Sequence, residues 1–320
     1  MNEYTSCFAP LIEPFVTYRK ASENWNYSYR DAMRQFDNYC RRTYPNAELP
    51  TQEMIDSWCK QHDTENNNSC RSRCAAIVAL MKYSRLRGST TLNPPELPIH
   101  QRSTYIPHAF TDEELSNFFN ACDNMPSSPS STFKARKIIV PVLFRLLYSS
   151  GIRTVEARLL RVENVDLERG VLNIKNSKGW DQHYVALHDS MTALLVRYDT
   201  EIRKIIPNRV HFFPGKDGNP LSGDWVQTYF KRCWEQSNTS YAVPYQLRHH
   251  YATSNINSWV DEGFGFEEKL LSLSKSMGHR KIESTKYYFS LTPTLGDIIE
   301  EKTNRGFEEI VPEVCCEEID

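Results

Sequence analysis

No stretch of this chain is long and apolar enough to cross a bilayer. The apolar runs 138–147 and 74–81 stop far short of the roughly 20 residues a spanning helix needs. The N-terminus holds Glu3 and no basic-then-apolar segment, so it does not read as a secretory signal. These absences lead to the expectation of a cytoplasmic protein with no membrane contact. Zinc-type spacing is missing as well. Nine cysteines are scattered along the chain. Cys70 and Cys74 stand one helical turn apart and Cys315 adjoins Cys316, but neither pair belongs to a CxxC or Cys/His set. Free thiols in a reducing compartment are expected, with no metal and no cofactor. An excess of positive charge is also lacking, the net charge being −2. The spread is uneven, however. Residues 297–320 hold nine acidic and two basic residues, a balance of −7 that leaves +5 on residues 1–296. A modestly basic body can bind phosphate through local patches.

Aromatic residues are plentiful, with 17 Tyr, 15 Phe and 6 Trp, which favours a globular chain over a disordered one. At 320 residues two domains are expected, each with its own core. Residues 11–90 read as amphipathic helices. In 27–44 the apolar positions Tyr29, Ala32, Met33, Phe36 and Tyr39 recur at helical spacing between Arg30, Arg34, Arg41 and Arg42. The 70–87 segment sets Ala76, Ile77, Leu80 and Met81 beside Arg71, Arg73, Lys82, Arg85 and Arg87. Such a basic face suits either a phosphate backbone or plain solvent. Residues 88–107 break the pattern with Pro94-Pro95, Pro98 and Pro107.

A second helical start follows at Thr111, with Glu114 three positions on as a capping partner. An apolar helix is expected over 134–149, kinked by Pro141. Short strands are expected at 162–166, 171–174 and 184–187, and helices return from Asp224. The outcome is a mainly α protein: a helical N-terminal domain over 1–92, a linker at 93–107, a mostly α domain with a small antiparallel sheet over 108–296, and an acidic tail at 297–320.

Arg153 lies in a turn after Gly151, with Glu156 on the next helix able to hold its guanidinium. Arg248 follows Tyr245 and precedes His249-His250, while His279 follows Gly278, a glycine that can end a helix over 270–277. An arginine fork donates two parallel hydrogen bonds to a phosphate and stays charged at any physiological pH. Lys178 lies in the turn before the third strand, where an ammonium can reach a leaving oxygen; Lys175 is its competitor. Tyr288 stands nine residues after His279, within Thr285-Lys286-Tyr287-Tyr288. A phenol with a pKa near 10 needs cations close by to become a nucleophile.

The order and spacing of Arg153, Lys178, Arg248, His279 and Tyr288 resemble the tyrosine recombinase family, of phage-integrase type. That resemblance implies a site-specific recombinase or integrase that cuts and rejoins double-stranded DNA through a 3′-phosphotyrosine. Arg153, Arg248 and His279 would grip the phosphate, Lys178 would act as general acid and Tyr288 as nucleophile, with Tyr287 left as a packing residue. It also implies a homotetramer on paired DNA sites, accessory DNA-bending proteins and the setting of a mobile element. The chain departs from the family at Tyr245, where the family usually has histidine. A phenol cannot act as a base near neutral pH, so His249 becomes a possible substitute. Two other readings remain: a DNA-binding regulator of the same fold with impaired chemistry, and an enzyme like a type IB topoisomerase. The acidic tail reads either as an anchor on a neighbouring subunit or as a solubilising segment.

Overall fold

This computed structural model describes residues 3–101, 107–126, 130–175, 182–215, 218–259 and 266–288. The acidic tail expected at 297–320 lies outside them. Two compact units divide the chain, Met1–Tyr105 and Ile106–Asp320.

The first unit contains helices α1 (Ala9–Ala21), α2 (Tyr27–Thr43), α3 (Gln52–Cys59) and α4 (Asn67–Leu86). Polar caps start three of them. Asn26 accepts from the Tyr29 amide, Thr51 from Met54 and Asn66 from Ser69, each satisfying a donor the helix leaves over. Helix α4 packs against the other three. Phe8, Ile12, Phe36, Ile55, Ile77 and Leu80 are fully buried between them. Part of the segment expected as linker is tied to this unit. Arg71 donates to the Pro98 carbonyl, Asn67 to that of Ile99 and Asn68 to that of Gln101.

The second unit begins with α5 (Asp112–Asp123), started by the full Thr111–Glu114 capping box that its sequence signals. Helix α6 (Ser131–Ser150) is central and packs against α5, α7 (Thr154–Leu159), α8 (Asp189–Ile205) and α10 (Tyr245–Ser258). Phe118, Leu143, Phe144, Leu147, Leu195 and Phe230 form its core. Strands β1 (Val165–Asp166), β2 (Val171–Ile174) and β3 (His183–Ala186) make one antiparallel sheet in that order. Helices α9 (Gly223–Trp234), α11 (Phe266–Ser276) and α12 (Glu283–Lys286) complete the described part. The expected mainly α fold with a small antiparallel sheet is what the chain adopts.

Two details differ from the sequence reading. The strand expected over 162–166 is a 3-10 turn at Val162–Asn164 followed by only two strand residues. Val162 gives its amide to the Val210 carbonyl and Asn164 closes onto Arg161, so no ladder partner is left for the first three residues. Helix α8 falls where no helix was expected, and it buries Leu195, Tyr198 and Ile202 at helical spacing. Among the described residues no helix is long and apolar enough to cross a membrane, and the seven described cysteines are free thiols.

Helix α6 stops at Gly151, which turns into the left-handed region at φ 63°. A Cβ there would lie 2.2 Å from Cδ1 of Tyr251 on α10. Gly151→Ala combines backbone strain with overpacking, so a loss of about 3 kcal/mol is expected. Gly88 has a similar φ but open space around it, so Gly88→Ala should cost only about 1 kcal/mol. Urea unfolding of both full-length variants checks the contrast, and equal losses would refute the close approach of α10 to this turn.

Candidate active site

Arg153 follows the Gly151 turn as the residue that caps α7. Its amide donates to Glu156 Oε2 at 2.8 Å, its Nη1 to Glu156 Oε1 at 2.6 Å and its Nη2 to the Gly278 carbonyl at 2.9 Å. The Glu156 side chain is fully buried. The carboxylate expected to orient this guanidinium does so.

Arg248 projects from α10 and is only 2% exposed. Its Nη1 donates to the Gly151 carbonyl at 2.5 Å and its Nη2 to the Met277 carbonyl at 2.7 Å. Nη2 also lies 2.9 Å from His279 Nε2. Three of the five guanidinium donors are thereby used, and Nε is buried with no hydrogen-bond partner. Burial lowers the pKa of Arg248, with Tyr288 opposing and Arg153 adding to the shift.

His279 is delivered by a second left-handed glycine, Gly278 at φ 63°, just after α11. A Cβ on Gly278 would meet the His183 ring of β3 at 2.6 Å. Since His279 Nε2 accepts from Arg248, its Nδ1 is assigned the proton and donates to Thr285 Oγ1 at 2.8 Å. Burial, then the charges of Arg248 and Arg153, push the imidazole pKa down to about 4. The ring is neutral at neutral pH.

Tyr288 is 3% exposed, its ring near-parallel to His279 at 6.2 Å and tilted against His249 at 5.4 Å. Burial raises its pKa, opposed by the charges of Arg248 and Arg153. Tyr287, expected as the packing residue of the pair, is 43% exposed. Tyr288 instead packs with Ala252, Ile256, Leu273 and Met277.

Tyr245 starts α10, half exposed, with its ring edge-on to His249 at 5.1 Å. One turn apart, the two share a helix face. Burial, then Arg248, pushes the His249 pKa down to about 4, and its buried Nδ1 has no hydrogen-bond partner. His250 faces elsewhere, partly buried and stacked on Tyr148 at 5.3 Å. Lys178 lies outside the described residues, between β2 and β3. Its competitor Lys175 is described and exposed. Arg153, Arg248, His279 and Tyr288 come together, with Tyr245 joined through His249. Thr285 and His183 support the site without having been expected; only the Thr285-to-Tyr288 spacing hinted at the first. Among the described residues no three His, Cys, Asp or Glu side chains are placed to hold a metal ion.

Burial also lowers the His250 pKa, but His249 and His279 carry the larger shifts and so most of a pH dependence. Both have an ordinary value of 6.5 and a folded value near 4. Between those limits the unfolded chain binds protons that the folded chain does not, so stability falls as pH drops from 6.5 toward 4. Replacing one of the pair in His279→Gln should remove a large part of the histidine contribution to that slope. Urea midpoints of wild type and variant from pH 7 to pH 4 measure it, and parallel curves would rule out a depressed His279.

The phage integrase family model matches residues 108–294. A tyrosine recombinase of Agathobacter rectalis is 23% identical over 292 residues, covering 90% of this chain and 92% of that protein. The tyrosine recombinase XerA of Pyrococcus horikoshii is 22% identical over 290 residues, covering 88% of this chain and 89% of the relative. Among solved structures, the XerH site-specific recombinase in a pre-cleavage complex with its difH substrate superposes with a TM-score of 0.60 at 17% identity. It covers 82% of this chain and 76% of its own. A lambda integrase tetramer bound to a Holliday junction also gives 0.60, at 16% identity over 87% of this chain and 76% of that one. The chain belongs to the phage integrase family, the tyrosine recombinases, which cut and rejoin DNA by transesterification in site-specific recombination.

Proposed function

We propose that Arg153, Arg248 and His279 grip the scissile phosphate of a DNA duplex and that Tyr288 attacks it. The observation that carries this reading is the burial of Arg248 and Tyr288 together around one neutral imidazole. Negative charge growing on the non-bridging oxygens meets two guanidinium forks fixed before the reaction begins. The Tyr288 oxygen bonds to phosphorus and the 5′ oxygen leaves, so the bond energy is kept in a 3′-phosphotyrosine. Lys178 supplies the proton for the departing 5′ oxygen. The proton of Tyr288 passes to His249, whose neutral ring adjoins the phenol and whose buried Nδ1 has an acceptor to offer. Tyr245, on the same helix face, positions the phosphate.

Double-stranded DNA is the substrate, and the active assembly is a homotetramer on paired sites. Accessory DNA-bending proteins, a mobile-element setting and a cytoplasmic location complete the proposal. The basic faces of α2 and α4 suit contact with a phosphate backbone.

Two experiments test the roles, using nicked duplexes from the DNA flanking the gene. Tyr288→Phe should bind as the wild type does yet form no covalent adduct. An adduct that survives this change but is lost in Tyr287→Phe would move the nucleophile to Tyr287. Lys178→Ala should slow cleavage about 10²- to 10³-fold on ordinary DNA. Cleavage should recover when sulfur replaces the 5′ bridging oxygen, because a thiolate leaves without a proton. Rescue of Lys175→Ala instead would make Lys175 the acid.

A further inference from the structure

Two segments that are distant in sequence, residues 108–114 and 238–240, meet at Glu114. Its Oε2 accepts the Thr111 amide at 3.0 Å and faces His108 Nε2 at 2.8 Å. Its Oε1 accepts from the Ser240 hydroxyl at 2.5 Å, and its backbone carbonyl accepts from Asn238 Nδ2 at 3.0 Å. His108 is among the first described residues of the second unit, immediately after the segment that joins the two units. Asn238 and Ser240 belong to the loop between α9 and α10, the loop that delivers Tyr245, Arg248 and His249. Trp234 donates its indole N–H to the Ser240 carbonyl at 2.6 Å, holding the far side of the same loop. The capping box accounts for the bond to Thr111. It does not account for a carboxylate whose other oxygen is spent on a residue 126 positions away.

We propose that Glu114 is a positioning residue of the DNA-cleaving site. Through Ser240 and Asn238 it fixes the loop that starts α10 and so sets where Arg248 stands, and through His108 it ties that placement to the first described residues of the second unit. A second link follows the same route. Phe110 packs edge-on against Trp234 at 5.2 Å and against His250 of α10 at 5.8 Å. The residues leaving the linker therefore touch both the loop before α10 and the helix itself. Reaction geometry is steep in distance. A displacement of an ångström at a phosphate-gripping group is enough to slow the chemistry by orders of magnitude.

The inference rests on the proposed cleavage chemistry, and two measurements on the full chain keep the two apart. In the first, Ser240→Ala removes the hydroxyl and leaves the capping box whole. Single-turnover adduct formation at saturating nicked DNA should slow about tenfold while DNA affinity holds. Ser240→Thr, which keeps the hydroxyl, should restore the rate. His108→Phe keeps the ring contacts with Phe110 and Trp234 but loses the bond to Glu114, and should show a smaller loss in the same direction. A Ser240→Ala protein that melts earlier yet cleaves at the wild-type rate would confine Glu114 to holding the fold. In the second measurement, amide hydrogen exchange over residues 245–249 should quicken about tenfold in Ser240→Ala, with α8 unchanged. This readout needs no cleavage. Unchanged exchange overturns the positioning role even if the wild type forms no adduct, whereas a wild type that binds DNA without forming adduct counts only against the cleavage reading.

Discussion

A buried guanidinium organises the second unit. Removing the charge of Arg248 from water costs several kcal/mol even after relaxation, and its lowered pKa reflects that cost. Among the described residues the offset comes from backbone and an imidazole: the carbonyls of Gly151 and Met277 and the lone pair of His279 take three donors. The carboxylate at the site, Glu156, hydrogen-bonds Arg153. Arg153 and Arg248 thus bring two guanidinium charges close together. A fold that keeps such a cation gives up stability and gains an anion site, and a phosphodiester has the charge and the two-oxygen geometry to fill it.

The other groups at the site take their states from that charge. His249 and His279 rest neutral because they are buried next to Arg248, so His279 acts through hydrogen bonds and His249 offers an uncharged ring to the Tyr288 proton. Tyr288 is subject to opposing effects, since burial raises its pKa while the two arginines lower it, and burial dominates. A phenol held this way is protonated at rest. In the proposed reaction its proton leaves as the bond to phosphorus forms, when negative charge moves onto oxygens the arginines already face. Such timing avoids a free phenolate in an apolar pocket.

The parts legible in the sequence were those fixed over a few residues. Thr111 with Glu114 announces a helix start, Gly151 and Gly278 announce stops, and Arg153, His279 and Tyr288 are placed by those local signals. Burial within a short turn is not legible in this way. That Tyr288 is buried while Tyr287 is exposed follows from tertiary packing against Ala252, Ile256, Leu273 and Met277. Strand propensity at 162–166 was outweighed by a distant hydrogen bond to Val210. The ties of Glu114 to the loop before α10 span more than 120 positions, so no pattern along the chain signals them.

Three consecutive residues link the two arginines. Met277 gives its carbonyl to Arg248, Gly278 gives its carbonyl to Arg153, and His279 returns an acceptor to Arg248. Adjacent carbonyls of a regular helix point the same way, so serving two guanidiniums on different elements requires the chain to reverse between them. The left-handed Gly278 makes that reversal. It also leaves the space that a Cβ would take from the His183 ring, and through this contact β3 packs beneath the turn. The strand that follows the Lys178 segment is thus seated on the same three residues that align the arginines. A displacement of this turn would move both guanidiniums together, so the spacing between them is held more tightly than their position in the fold.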